Sequence, residues 1–186
     1  DDKNVPFLDI LQNNNYNIKQ HNDISDLRDI IDYDIILCDI KGIGDKLSPV
    51  LQGAHVVREI KKLYPFKQVI AYTATQSEPH IMAALKVADD IIPKDADEGK
   101  WIEALDTCIK NFADPVRQWT RIRTQLLGSN VSTKTVAYME NNFVNAVLKK
   151  NGTIFLSGEK QYNVSKDIYD VLKGFVSGVI VKILIG

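Results

Sequence analysis

Ile35-Ile36-Leu37-Cys38-Asp39-Ile40-Lys41-Gly42 is the stretch on which the fold turns. Four consecutive apolar residues run into one acid and then into a turn containing glycine. Such a run, apolar at both alternating sets of positions, is the pattern of a strand covered on both faces, as in a parallel sheet flanked by helices. The pattern recurs downstream. Residues 68–72 ("QVIAY") read as a second strand, largely apolar and ending before Thr73, and residues 90–93 ("DIIP") as a short third one ending before Lys94. Helical spacing fills the intervals at residues 54–63, 78–88 and 101–112, with Tyr64-Pro65 stopping the first of these. Upstream, residues 5–13 read as a helix because Val5, Leu8 and Leu11 share a face. Residues 16–20 read as a short strand, and residues 24–31 as a helix with Asp23 at its N-cap. Strands alternating with helices predict a doubly wound, parallel α/β domain.

Asp114-Pro115 reads as a helix stop and bounds that domain at residues 1–113. Residues 117–186 form a smaller, mostly α module. Helices are expected near 116–127 and 132–150, a loop over 151–163 with a short strand at 153–156, and a last helix from 165 onward. The charge divides in nearly the same place. Residues 1–116 hold 13 Lys/Arg against 20 Asp/Glu, a net −7, and residues 117–186 hold 10 against 4, a net +6. That split implies two modules with different surfaces. The whole chain, 186 residues with 45% hydrophobic and 25% charged positions, has a globular composition and can hold both.

Several functional classes lose ground here. Cys38 and Cys108 both lie in apolar runs, which favours buried small hydrophobes over a disulfide or a metal site. His21, His55 and His80 show no metal-ligand spacing. There is no signal-peptide pattern and no apolar run of about 18 residues. A cytoplasmic protein is therefore expected.

Ligands of an open parallel sheet bind just beyond the carboxyl ends of its strands. Asp39, Thr73 and Lys94 stand at those ends, and the chain opens with Asp1-Asp2. A carboxylate can attack phosphorus to form an aspartyl phosphate. Mg²⁺ favours a few carboxylates together with phosphate oxygens, so a second acid would have to lie close by. A hydroxyl and an ammonium can hold the remaining oxygens and offset charge during transfer.

On these residues the first part of the chain resembles the receiver domains of two-component response regulators. The anchors are "DDKNV" at residues 1–5, "IILCDIKG" around Asp39, "VIAYTA" around Thr73 and "VADDIIPK" leading to Lys94. The resemblance covers about residues 1–113 and implies a flavodoxin-like, five-stranded parallel sheet of order 2-1-3-4-5. Its first strand would lie upstream of Asp1, and Val179 to Ile185 ("VIVKILI") is a second candidate for that slot. The resemblance also implies that Asp39 is the phosphoacceptor, with Thr73 and Lys94 assisting. Mg²⁺ would be held by Asp1, Asp2, Asp39 and the backbone carbonyl of Lys41. The domain would catalyse only its own phosphorylation and dephosphorylation, with a sensor histidine kinase or a small phosphodonor as partner and the helical module as output.

Three departures from the family pattern open rival readings. Asp95, not proline, follows Lys94; Ile91 occupies a position often aromatic; and the loop from Asp39 to Gly53 is longer than usual. The long loop and the missing proline motivate a pseudo-receiver, a binding scaffold without turnover. The basic segment from Arg117 to Lys150 loosely resembles a helix-turn-helix, with Arg117, Arg121 and Arg123 near one face, which motivates DNA binding. Gly174-x-x-x-Gly178 marks close helix packing or a homodimer contact through the last helix.

Overall fold

The computed structural model describes residues 7–73, 78–157 and 162–182. The chain divides into two compact units, residues 1–62 with 67–109, and residues 63–66 with 110–186.

The first unit is built on a parallel sheet of three strands, β1 (Ile35–Asp39), β2 (Gln68–Thr73) and β3 (Asp90–Pro93), in the order β1-β2-β3. Ile35 pairs with Gln68 and Asp39 with Tyr72; Ile70 pairs with Asp90 and Thr73 with Pro93. The connections carry α2 (Gly53–Leu63) and α3 (Pro79–Leu85), and α4 (Glu98–Ala113) follows β3. Before the sheet stand α1 (Leu8–Asn13) and a 3₁₀ turn at Leu27–Ile30. Helical periodicity decides which residues go inside. In α2 the buried set is Ala54, Val56, Val57 and Ile60, and in α4 it is Trp101, Ala104, Leu105 and Cys108. One face of the sheet meets a cluster in which the ring of Phe7 stacks on Trp101 at 3.9 Å, with Leu11, Ile70 and Ile92 around them.

The expected five-stranded sheet is not there: the described residues contain one sheet of three strands. The polar majority of residues 16–20 leaves only Tyr16 and Ile18 to bury. Both pack against the Phe7–Trp101 cluster, but the segment's backbone joins no strand. Residues 24–31 hold the 3₁₀ turn instead of a helix, and Asp26, not Asp23, caps it by accepting the Arg28 N–H. Residues Val179 to Lys182 are helical, with Val179 and Ile180 buried, which removes them as candidates for the missing strand.

A charged pair fixes how β2 and β3 begin. Asp89 Oδ2 accepts from Lys61 Nζ at 2.8 Å and from the Val69 N–H at 2.7 Å, and the Lys61 and Asp89 side chains are only 13% and 10% exposed. Removing one member leaves the other charged and buried, which costs far more than the pair contributes. Asp89→Ala is expected to lower unfolding stability by about 3 kcal/mol, read by urea denaturation.

In the second unit, α5 (Pro115–Gly128), α6 (Thr133–Leu148), α7 (Thr153–Ser157) and α8 (Lys166–Phe175) surround an aromatic core. A π-helical segment, Val176–Ile180, continues α8. Asp114 caps α5 through the Val116 and Arg117 N–H groups, and Pro115 sits at the first turn, where its missing N–H costs nothing. Trp119 stacks on Phe143 at 5.1 Å, and Phe155 and Phe175 close around them. The strand expected at 153–156 is helical, because Phe155 is drawn into this core, 1% exposed. Gly174 and Gly178 face the ring of Phe66; a Cβ at either would come within 3.1 or 3.2 Å of it. That contact accounts for the glycine pair within a single chain.

Among the described residues, no helix is long and apolar enough to cross a membrane.

Candidate functional site

Parallel register brings the carboxyl ends of the three strands to one edge. Ile40 N–H bonds to Tyr72 O at 3.2 Å and Lys94 N–H to Thr73 O at 2.9 Å, so the residues after β1 and β3 are fastened to the end of β2. Across that edge, Lys94 Nζ donates to Asp39 Oδ2 at 2.6 Å. The other carboxylate oxygen, Oδ1, accepts from the Lys41 N–H at 3.2 Å. The Asp39 side chain is 19% exposed and that of Lys94 31%, so the pair is sheltered yet open to a small solute. Lys94 Nζ also stands 5.6 Å from the centre of the Tyr72 ring, close enough for the π-face to add a weak attraction.

The fold thus brings Asp39 and Lys94 together and sets Thr73 and Lys41 at the same edge of the sheet. Thr73 is half-buried, one residue past the partner of Asp39. Asp1 and Asp2 lie outside the described residues.

The part that three neighbours play at the site escaped the sequence reading. The first is Tyr72, whose hydroxyl is pushed up from 10.0 by burial and then by the charges of Asp39 and Cys38. Its apolar surroundings in β2 disguise it as a core residue. The second is Gly53, the first residue of α2. A Cβ there would lie 2.0 Å from Asp39 O and 2.8 Å from Ile40 Cα, so only glycine lets α2 start this close to the acid. Its N–H also bonds to Ile40 O at 3.1 Å. A glycine in a helix where alanine would be the better former is the signal that could have found it. The third is Asp23, which accepts the Gly44 N–H at 2.8 Å.

Cys38, behind Asp39, is buried; burial first, and then the Asp39 charge, pushes its thiol up to about 12, which makes it a poor nucleophile. Cys108 is likewise buried and is in no disulfide.

Beside the site a cavity of about 350 Å³ runs along the outer side of β1, lined by Tyr16, Ile18, Ile35, Leu37, Asp39 and Tyr72 among others. On its wall, the Tyr16 hydroxyl donates to Asp106 Oδ1 at 2.6 Å. This bond, with smaller contributions from burial and the carboxylate's charge, raises Tyr16 from 10.0 to about 12. The phenol of the unfolded chain ionises near 10, whereas the folded one holds its proton to about 12. The stability this bond contributes is therefore complete below about pH 10 and is lost as pH rises from there toward 12. Tyr16→Phe is expected to show a shallower loss of stability between pH 9 and 11 than the wild type, measured by urea denaturation.

Among the described residues, no group of three or more His, Cys, Asp or Glu is assembled that could hold a metal. Mg²⁺ takes near-octahedral oxygen ligation, with one or two protein carboxylates and substrate phosphates. Asp39 supplies one carboxylate, engaged by Lys94 and by the Lys41 N–H. The other carboxylates expected to hold Mg²⁺, Asp1 and Asp2, lie outside the described residues.

In the second unit, Arg117 lies 3.4 Å from Asp114 and Arg123 lies 3.5 Å from Glu140. Both of these arginines, expected to face phosphates, are thus in contact with carboxylates.

Comparison with known proteins finds no matching family model, no matching curated protein and no matching solved structure.

Proposed function

We propose that the first unit is a receiver-like phosphoacceptor domain, in which Asp39 takes a phosphoryl group from a small phosphodonor or a histidine kinase. The single observation that supports this most is the 2.6 Å contact between Asp39 Oδ2 and Lys94 Nζ, two residues 55 apart in sequence, at the carboxyl edge of a parallel sheet. An isolated ion pair there could be structural. What favours chemistry is the partial exposure of both groups, together with the half-buried hydroxyl residue Thr73 at the same edge.

The ionised carboxylate has no proton to lose before it attacks. An Asp39 oxygen forms a bond to phosphorus, the bond from phosphorus to the donor oxygen or nitrogen breaks, and the leaving group departs with that electron pair. Lys94 offsets the negative charge on the phosphoryl oxygens, and its ammonium is already within reach. Water attack on phosphorus then breaks the acyl phosphate and restores the carboxylate. The domain acts on itself, and the helical module carries the output, in a cytoplasmic signalling protein.

Incubation with acetyl phosphate and Mg²⁺ should add one phosphoryl group, about 80 Da, to the wild type and none to Asp39→Asn. An adduct of equal yield in Asp39→Asn defeats the assignment. Omitting Mg²⁺ tests the metal expectation separately.

A second reading, a pseudo-receiver that binds without turnover, is favoured by one observation: both oxygens of the Asp39 carboxylate are already engaged, by the Lys41 N–H and by Lys94 Nζ. A folded wild type that takes no adduct and binds no Mg²⁺ would support it.

A further inference from the structure

We propose that Asp23 is a positioning residue for the Asp39 centre, holding the 40–52 loop in the form that aims the Asp39 carboxylate at Lys94. The inference rests on the reading of Asp39 as phosphoacceptor and adds a residue from a separate stretch of chain to that site.

The loop leaves Asp39 and returns to it. Its far end is fastened by the bond from the Gly53 N–H to Ile40 O and by the backbone packing that excludes a Cβ at Gly53. Between those ends the chain takes left-handed conformations at Gly42 (φ 78°), Gly44 (φ 71°) and Gln52 (φ 47°). The two glycines take such angles freely, so their geometry alone does not fix the loop, whereas Gln52 holds its angle only where its surroundings keep it there. Two side chains pin the loop. Gln52 Oε1 accepts the Gly42 N–H at 3.3 Å, and Asp23 Oδ1 accepts the Gly44 N–H at 2.8 Å. The Gln52 bond is internal to the loop. The Asp23 bond is different, because it ties the loop to the segment before β1, 21 residues away.

Asp23 is itself locked in place, since the same Oδ1 takes the Ile24 N–H at 2.7 Å. Gly44 lies against α2 so closely that a Cβ would come 2.6 Å from Val56 Cγ2. The loop is therefore gripped on two sides at one residue. Its first members carry the Lys41 N–H that bonds Asp39 Oδ1, the oxygen opposite Lys94. Releasing Gly44 frees the chain that positions this N–H, and the carboxylate loses one of the two contacts that orient it. Misplacement of a reacting group by about 1 Å costs on the order of a hundredfold in rate, so even partial release is measurable.

The test compares Asp23→Ala, Asp23→Asn and Asp23→Glu in the full chain, with Asp26→Ala as a control. Asp26 caps the neighbouring 3₁₀ turn and has no bond to the loop. Phosphorylation by acetyl phosphate is followed by intact mass across donor concentrations. Asp23→Ala should lower the maximal rate constant about tenfold or more while half-saturation stays within about twofold. Asp23→Asn keeps the acceptor oxygen and should stay within about threefold of the wild type. Asp23→Glu keeps the charge but displaces the acceptor by one methylene, and it should be slow; it decides the matter if the alanine variant does not fold. Asp26→Ala should phosphorylate as the wild type does. Equal rates for Asp23→Glu and the wild type, or an asparagine variant as slow as the alanine one, would overturn the proposal.

If the wild type takes no adduct, the phosphoacceptor reading fails, and NMR decides the positioning claim alone. The Asp39 carboxyl ¹³C shift and the proximity of the Lys94 ammonium should change in the alanine and glutamate variants and hold in Asp23→Asn. Spectra alike in all of them would overturn it.

Discussion

Lys94→Ala is expected to slow phosphorylation of Asp39 by about a hundredfold, the cost of removing one charge-stabilising donor from a transfer site. The same change should lower unfolding stability by less than about 1 kcal/mol, because the Lys94 and Asp39 side chains are 31% and 19% exposed and solvent screens much of their attraction. The contrast between the two effects is the informative part. A lysine present to hold the sheet edge together would show the reverse, a stability loss with no special effect on transfer. Lys94→Arg should recover part of the rate, since the charge returns in a bulkier, planar group. Initial rates by intact mass, paired with urea denaturation of each variant, measure both quantities on the same preparations.

Gly53→Ala is expected to destabilise the first unit by about 3 kcal/mol, against the usual preference of helices for alanine. The added methyl would lie 2.0 Å from Asp39 O and 2.9 Å from Asp39 C, and these are backbone atoms that cannot swing aside. Either α2 retreats or the end of β1 bends, and both outcomes displace Asp39. Phosphorylation should therefore fall together with stability. Gly128→Ala supplies the control. A Cβ there meets nothing within 4 Å, and the helix gains a better former, so stability should hold or rise by up to about 1 kcal/mol. Denaturation of the two variants side by side separates a steric requirement from a general glycine effect.

What could be read in the sequence was the part fixed by local pattern. The runs at residues 35–38 and 69–72 are apolar on both faces and could hardly be anything but covered strands, and Asp39 and Lys94 follow from where the first of them and the shorter run at residues 90–93 stop. The misreadings share a different cause. "VIVKILI" is rich in β-branched residues, yet Val179 and Ile180 are buried in a helical core, which overrides intrinsic preference. Residues 153–156 went the same way for Phe155. Residues 16–20 had enough alternation to resemble a strand, but a strand needs a partner, and partners are set by tertiary structure, not by local sequence. The five-stranded sheet was carried over from a family likeness, and the described chain builds three strands. Asp23 illustrates the limit at the site itself. An acid ahead of a helix-like segment reads as a cap, and nothing local reveals that its carboxylate reaches across 21 residues to Gly44.

The most direct test locates the phosphoryl group. Wild-type protein treated with acetyl phosphate and Mg²⁺ should be quenched with hydroxylamine, which converts an acyl phosphate to a stable hydroxamate, and then digested and mapped by mass spectrometry. The account predicts a hydroxamate at Asp39 and at no other acid. A folded protein that yields none, or one that carries it elsewhere, would contradict the account.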